Sequence, residues 1–158
     1  MPETNRKKEI DGTDSAMIGL LQQDGRISNT DIAKQLGVSE STVRTRLKRL
    51  IEEEFIQIVA VSNPFKLGFK FTGNIYIDVE MKKIDSVIAQ LKELKELWYI
   101  ILTTGVSNIN LEFIVKDHDE LNDLIYKKIS RIDGITRLET SIIMKFEKRN
   151  YEYGTGIE

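Results

Sequence analysis

Between Asp11 and Ile51 the apolar positions recur at helical spacing in three blocks separated by turn signals. Met17, Ile18, Leu20 and Leu21 form a stripe that stops at Asp24-Gly25. Ile32, Ala33 and Leu36 supply the inner face of a second, short helix, with Ser28 as its N-cap and Gly37 as its end. Ser39 precedes a third helix, in which Val43, Leu47, Leu50 and Ile51 share one face. Glu40, Ser41, Arg44, Thr45 and Lys48 therefore point elsewhere. After Glu54 the period changes. Ile56, Ile58 and Ala60 alternate with Gln57, Val59 and Val61, which predicts a short strand, and Asn63-Pro64 and Leu67-Gly68 mark a connector.

The second half reads as two similar units. Ile75, Ile77 and Val79 alternate with Asn74, Tyr76 and Asp78 in a half-buried strand, and Ile84, Val87, Ile88, Leu91 and Leu94 follow with helical spacing. Trp98 to Thr103 is nearly continuous in apolar residues, so this strand is expected to be covered on both faces, with Trp98 in the core or an interface. Ile109, Leu111, Phe113 and Val115 alternate again, and Asp117 caps a helix carrying Leu121, Leu124, Ile125 and Ile129. Leu138, Thr140, Ile142, Met144 and Phe146 make the last strand. The order β-α-β-β-α-β is the ferredoxin-like arrangement, an antiparallel sheet with both helices on one face. The other face, with Tyr99, Ile101, Ile114 and Ile143, has no helix to cover it, which favours oligomerisation through the sheet.

Composition narrows the chemistry. The chain has 158 residues, 41% of them apolar, enough for one domain or two small ones. It has no cysteine and a single histidine, His118, so disulfides, thiol catalysis and cysteine-based metal sites are excluded, and neither a metal nor a cofactor is expected. No apolar run approaches the roughly 20 residues of a membrane span. The opening MPETNRKKEI lacks an apolar core, so no secretory signal is expected and a cytoplasmic protein is the reading.

Net charge is −2, which by itself argues against nucleic acid. Its distribution reverses that. Residues 26–49 hold six basic side chains (Arg26, Lys34, Arg44, Arg46, Lys48, Arg49) against Asp31 and Glu40, a local +4 that leaves −6 for the remainder. The stretch DIAKQLGVSESTVRTRLKRL, residues 31–50, has the punctuation of a helix-turn-helix: small Ala33 where two helices approach, Gly37 at the turn and a longer basic helix that the major groove admits. On that helix Ser39, Ser41 and Thr42 can meet phosphates or base edges, and Arg44 with Thr45 lies one turn on. Arg46, Lys48 and Arg49 are assigned to phosphates. Glu40 can accept from cytosine or repel wrong sites.

These features resemble the Lrp/AsnC family of transcription regulators. The resemblance runs from Ile10 to about Lys148 and is carried by Ile10-Asp11-Gly12-Thr13-Asp14 with Ile18, Asp24-Gly25-Arg26, Leu36-Gly37-Val38-Ser39, Arg44 to Leu50, Asn63-Pro64-Phe65-Lys66-Leu67-Gly68 and Gly134-Ile135. It implies an α+β protein: an N-terminal winged helix-turn-helix domain and a C-terminal βαββαβ domain that senses small molecules. The expected division is a flexible N-terminus (1–10), the DNA-binding domain (11–60), a linker (61–70), the sensing and oligomerisation domain (71–148) and a flexible tail (149–158). The resemblance also implies a homodimer, assembled further into tetramers or octamers, on double-stranded DNA, with an amino-acid effector near Gly105, Val106, Ser107, Asn108, Gly134, Thr136 and Thr140. Here the chain departs from the family pattern. The turn at 105–108 lacks the family's carboxylates, Leu138 replaces a threonine, and Glu54 stands where glycine is common before the wing. An architectural DNA-binding protein without an effector stays open beside the regulator. An enzyme is the other class considered, but Asp117-His118-Asp119-Glu120 point in different directions on a helix and make no convergent pair.

Overall fold

The structure is a computed structural model and describes residues 9–156. It divides into two compact units, one of residues 9–61 with 148–156 and one of residues 62–147. The expected frayed N-terminus lies, for residues 1–8, outside the described residues.

The first unit is built on α1 (Gly12–Gln23), α2 (Asn29–Leu36) and α3 (Glu40–Glu52). Each begins on a side chain that satisfies an otherwise orphaned backbone N–H: Asp11 accepts from the Asp14 amide, Ser28 from Asp31 and Ser39 from Thr42. Asp11 and Asp14 do so reciprocally, in a capping box. Gly37 closes α2 in the left-handed region, φ +67°, and the Val38 amide donates back to the Ala33 carbonyl at 3.1 Å. α3 ends in the same way without glycine. Glu54 takes φ +61° while Phe55 N–H reaches the Leu50 carbonyl at 2.9 Å and Glu54 N–H that of Ile51 at 3.1 Å. Met17, Ile18, Ile32, Ala33, Val43 and Leu50 form the core, with Leu47 and Phe55 packed against it. Ile51, expected on the inner face, is exposed.

The short strand expected at 56–61 does not form: this segment joins no ladder, and Ile58, Val59 and Val61 are exposed. Alternation marks extended backbone, but a strand also needs a partner, and none of the described residues pairs with this segment. The tail also differs from expectation. It lies on α1: Gln22 exchanges hydrogen bonds with the Gly154 backbone, donating at 3.2 Å and accepting at 3.0 Å, and Ser15 meets the Thr155 hydroxyl.

In the second unit a four-stranded antiparallel sheet has the order β2-β3-β1-β4, from β1 (Phe71–Val79), β2 (Leu97–Leu102), β3 (Ile109–Val115) and β4 (Ile135–Ile142). α4 (Ile84–Lys92) crosses between β1 and β2. α5 (His118–Asn122), prolonged by a wide π-helical segment over Asp123–Lys128, crosses between β3 and β4. Val87, Leu91, Leu121 and Leu124 of these helices, with Ile129 in the 3-10 turn that follows, share one core with Ile75, Ile77, Ile109, Leu111 and Phe113 of the sheet. The register places Asn74, Tyr76, Tyr99, Ile101, Ile114 and Ile143 on the opposite face, none of them fully buried.

Two strand expectations are corrected. β2 is an edge strand, not one covered twice: Trp98 sits at an irregularity in the β2–β3 register and is 51% exposed, and Tyr99 and Leu102 are exposed too. β4 stops at Ile142, and Met144 is 91% exposed. The connector folds back on its own unit, where Asn63 Oδ1 accepts from the Phe65 amide and the Phe65 ring meets that of Phe146.

Candidate nucleic-acid interface and effector site

α3 presents Glu40, Ser41, Arg44, Thr45 and Lys48 to solvent, because its inner face is committed to Val43 and Leu50. Its N-terminal end gathers three hydroxyls: Ser39 Oγ lies 2.8 Å from both Ser41 Oγ and Thr42 Oγ1 while it caps the helix. The free amides of this first turn and the polar cluster together suit an anion. Arg26 is exposed in the turn between α1 and α2, where its amide donates to Asp24.

Every cation on α3 has an acidic partner within the chain. Arg44 Nη2 donates to Glu40 Oε1 at 2.8 Å, and Lys48 Nζ lies 3.7 Å from Glu52. Glu40 Oε2 accepts from Thr30 Oγ1 on α2 at 3.0 Å, so the two helices meet at this carboxylate. The hydrogen bond from Thr30, then that from Arg44, holds the Glu40 carboxyl below the usual carboxylate range.

Arg46 and Arg49 do not join the outward set. Arg46 Nη1 donates to Asp11 at 2.7 Å and to Asp14 at 2.9 Å, and Arg49 donates to the other oxygen of Asp14. Both arginines are part-buried and turned toward α1. Their phosphate assignment rested on charge and position alone. The signal that separates them from Lys48 is Asp14, an acid inside an apolar stripe that requires cations to face it.

The residues assigned to an effector are placed as follows. Gly105 (φ +118°) and Val106 form the exposed tip of the β2–β3 turn. Ser107 is buried and donates to Asn110 Oδ1, while its carbonyl accepts from Thr103 Oγ1. Asn108 braces the sheet: its Oδ1 accepts from the Val79 amide at 3.0 Å and its own amide donates to the Ile77 carbonyl. Gly134 (φ +102°) lies under α4, where an added Cβ would come within 2.8 Å of Lys83 Cβ. Thr136 and Thr140 are exposed on β4.

One group beside this turn escaped the sequence reading. Arg137 of β4 donates to the Val106 carbonyl and to Asp78 Oδ2, each at 3.4 Å, and pairs with Glu139. Asp78 and Arg137 face each other across β1 and β4, 59 residues apart, and only the strand register reveals it. The pair supplies both signs of charge next to residues 105–106.

A three-helix DNA-binding unit with a basic outer helix, joined to a ferredoxin-like domain, defines a helix-turn-helix transcription regulator. The AsnC-type helix-turn-helix domain profile matches residues 10–51 and the Lrp/AsnC ligand binding domain profile matches residues 74–153; the chain belongs to the Lrp/AsnC family. It is 39% identical over 148 residues to an uncharacterized HTH-type transcriptional regulator of Pyrococcus horikoshii, covering 93% of this chain and 94% of that one. It is 34% identical over 137 residues to the HTH-type transcriptional regulator LrpA of the same organism, covering 86% and 97%. The structure of AsnC from E. coli superposes with a TM-score of 0.78 at 27% identity, over 90% of this chain and 97% of that one. A Neisseria meningitidis regulator solved in complex with L-Met shares the fold, with a TM-score of 0.80 at 19% identity over 91% and 96%. The curated relatives are transcriptional regulators and not enzymes.

Proposed function

We propose that the chain is a sequence-specific regulator that binds double-stranded DNA as a homodimer or a larger assembly and responds to an amino acid. The observation that carries the DNA reading is the outer face of α3, where Ser41, Arg44, Thr45 and Lys48 stand clear of the core behind a capped, hydroxyl-rich N-terminus. A helix so placed enters the major groove by its N-terminal end, with Arg44 able to take guanine O6 and N7. Ser39, Ser41, Thr42, Arg26 and Lys48 serve the backbone, Thr45 lies beside Arg44, and Arg46 and Arg49 orient the helix from behind. Two such helices in a dimer fit a pseudo-palindromic site with half-sites one helical turn apart.

The L-Met complex of the Neisseria regulator supports an amino-acid effector. So does the pairing of Arg137 with Asp78 and Glu139 at the 105–106 turn, because a zwitterion carries one charge for each sign and can replace either member of that pair. An architectural protein without effector is the second reading, favoured by Asn108, whose side-chain oxygen is already used to brace β1.

Selection of bound duplexes from a random pool, repeated with each amino acid present, tests both. A defined half-palindrome that Arg44→Ala relaxes at one base pair, and whose occupancy one amino acid alters, is the expected result. Binding without sequence preference would sink the regulator reading. A preference indifferent to all twenty amino acids would leave the architectural one.

A further inference from the structure

Glu40 stands in the first turn of α3, where an acid suits the helix N-terminus but would repel DNA phosphates. Its two carboxylate oxygens are both engaged, one by Arg44 on its own helix and one by Thr30 on the preceding helix. An ordinary exposed i,i+4 ion pair is a weak, mobile contact. This one differs because a hydroxyl from a separate element fixes the acidic member, so the arginine meets a carboxylate already held in place.

We propose that Glu40 is a specificity-determining residue: anchored by Thr30, it withholds Arg44 from phosphate oxygens and aims it at a base edge. The proposal rests on α3 being the DNA-facing helix. The reasoning is a difference of two affinities. In a non-specific complex the gain comes from phosphate neutralisation. There Glu40 cancels the charge of Arg44 and adds repulsion of its own. In the specific complex a guanidinium with five donors can keep one on Glu40 and still offer two to guanine, so little is lost. Glu40 therefore lowers non-specific binding more than specific binding. Thr30 acts through Glu40 and is a positioning residue.

The test uses the full chain with Glu40→Gln and, separately, Thr30→Val, measuring binding to a selected duplex and to a scrambled one across a salt series. Both substitutions are exposed and leave the core untouched. With Glu40→Gln, non-specific binding is expected to tighten roughly two- to fivefold, the range of an exposed charge pair. Its salt slope should steepen by about one unit, and the specific-to-non-specific ratio should fall. Thr30→Val should move all three the same way by less, which a merely structural threonine would not do. Unchanged ratio and slope in Glu40→Gln would overturn the proposal. So would a loss confined to one base pair with non-specific binding unaltered, which would make Glu40 a direct base reader. A wild-type chain with no sequence preference would instead overturn the reading of α3 itself.

Discussion

The Asp14 carboxylate, 1% exposed, accepts from Arg46 Nη1 at 2.9 Å and so ties α1 of the helix-turn-helix unit to α3. Arg49 and the Asp11 amide complete its partners. Burial alone would raise the Asp14 pKa, but the hydrogen bonds from Arg49, from the Asp11 backbone and from Arg46 together hold it below the ordinary value. A carboxyl depressed in the folded state stabilises above its unfolded pKa, and that contribution is lost as pH falls through the folded value. Asp14→Asn should cost about 2 kcal/mol near neutral pH, the scale of hydrogen bonds to charged groups. Thermal unfolding from pH 7 down to below the usual carboxylate range should show the wild type and Asp14→Asn converging in acid. Parallel curves would remove Asp14 as the source.

The Lys48 side chain is 73% exposed and its ion pair with Glu52 is long, at 3.7 Å, and open to water, so a phosphate can replace that partner. Lys48→Ala should weaken binding uniformly across duplex sequences and shallow the salt slope by about one unit. Arg49→Ala should instead reduce stability and leave the slope unchanged, because its charge is committed to Asp14. Fluorescence-anisotropy titrations at several salt concentrations would distinguish the two.

The elements with their own start and stop chemistry were legible: Ser28, Gly37 and Ser39 carry local instructions, and the structure uses each as expected. What failed depended on partners that sequence spacing does not name. The segment 56–61 has the alternation of a strand and, among the described residues, no strand to pair with. The apolar run after Trp98 resembles a buried strand, yet the topology puts it at an edge. Arg46 and Lys48 are two residues apart and similar in charge, and only their direction around α3 gives one a buried acid on α1 and the other an exposed acid on its own helix. Asp78 and Arg137 come together through a register set by the whole sheet.

Glu54 is the only non-glycine residue with positive φ among those described. Its place, just after the end of α3, is the one that glycine commonly fills, because there a Cβ crowds the backbone. Glu54→Gly should therefore stabilise the DNA-binding unit by about 0.5–1 kcal/mol, relief of strain being partly offset by the freer unfolded chain. Chemical denaturation provides the check. A lower midpoint would mean that the carboxylate makes a contribution exceeding its strain.

Tyr99, Ile101, Ile114 and Ile143 share the sheet face opposite α4 and α5, with Tyr76 and Asn74 between them. Burying that face against a second copy would remove apolar area from water without disturbing the core, since Ile101 is not among the residues packed behind the sheet. Ile101→Asp should then leave the monomer folded and shift the protein toward monomers, because two aspartates would be brought near the same interface unpaired. Sedimentation velocity over a concentration series, with circular dichroism as the control for folding, reads both quantities. A wild-type dimer that survives the substitution intact would place the interface elsewhere, and the exposed edge formed by Trp98 and Leu102 would be the next face to mutate.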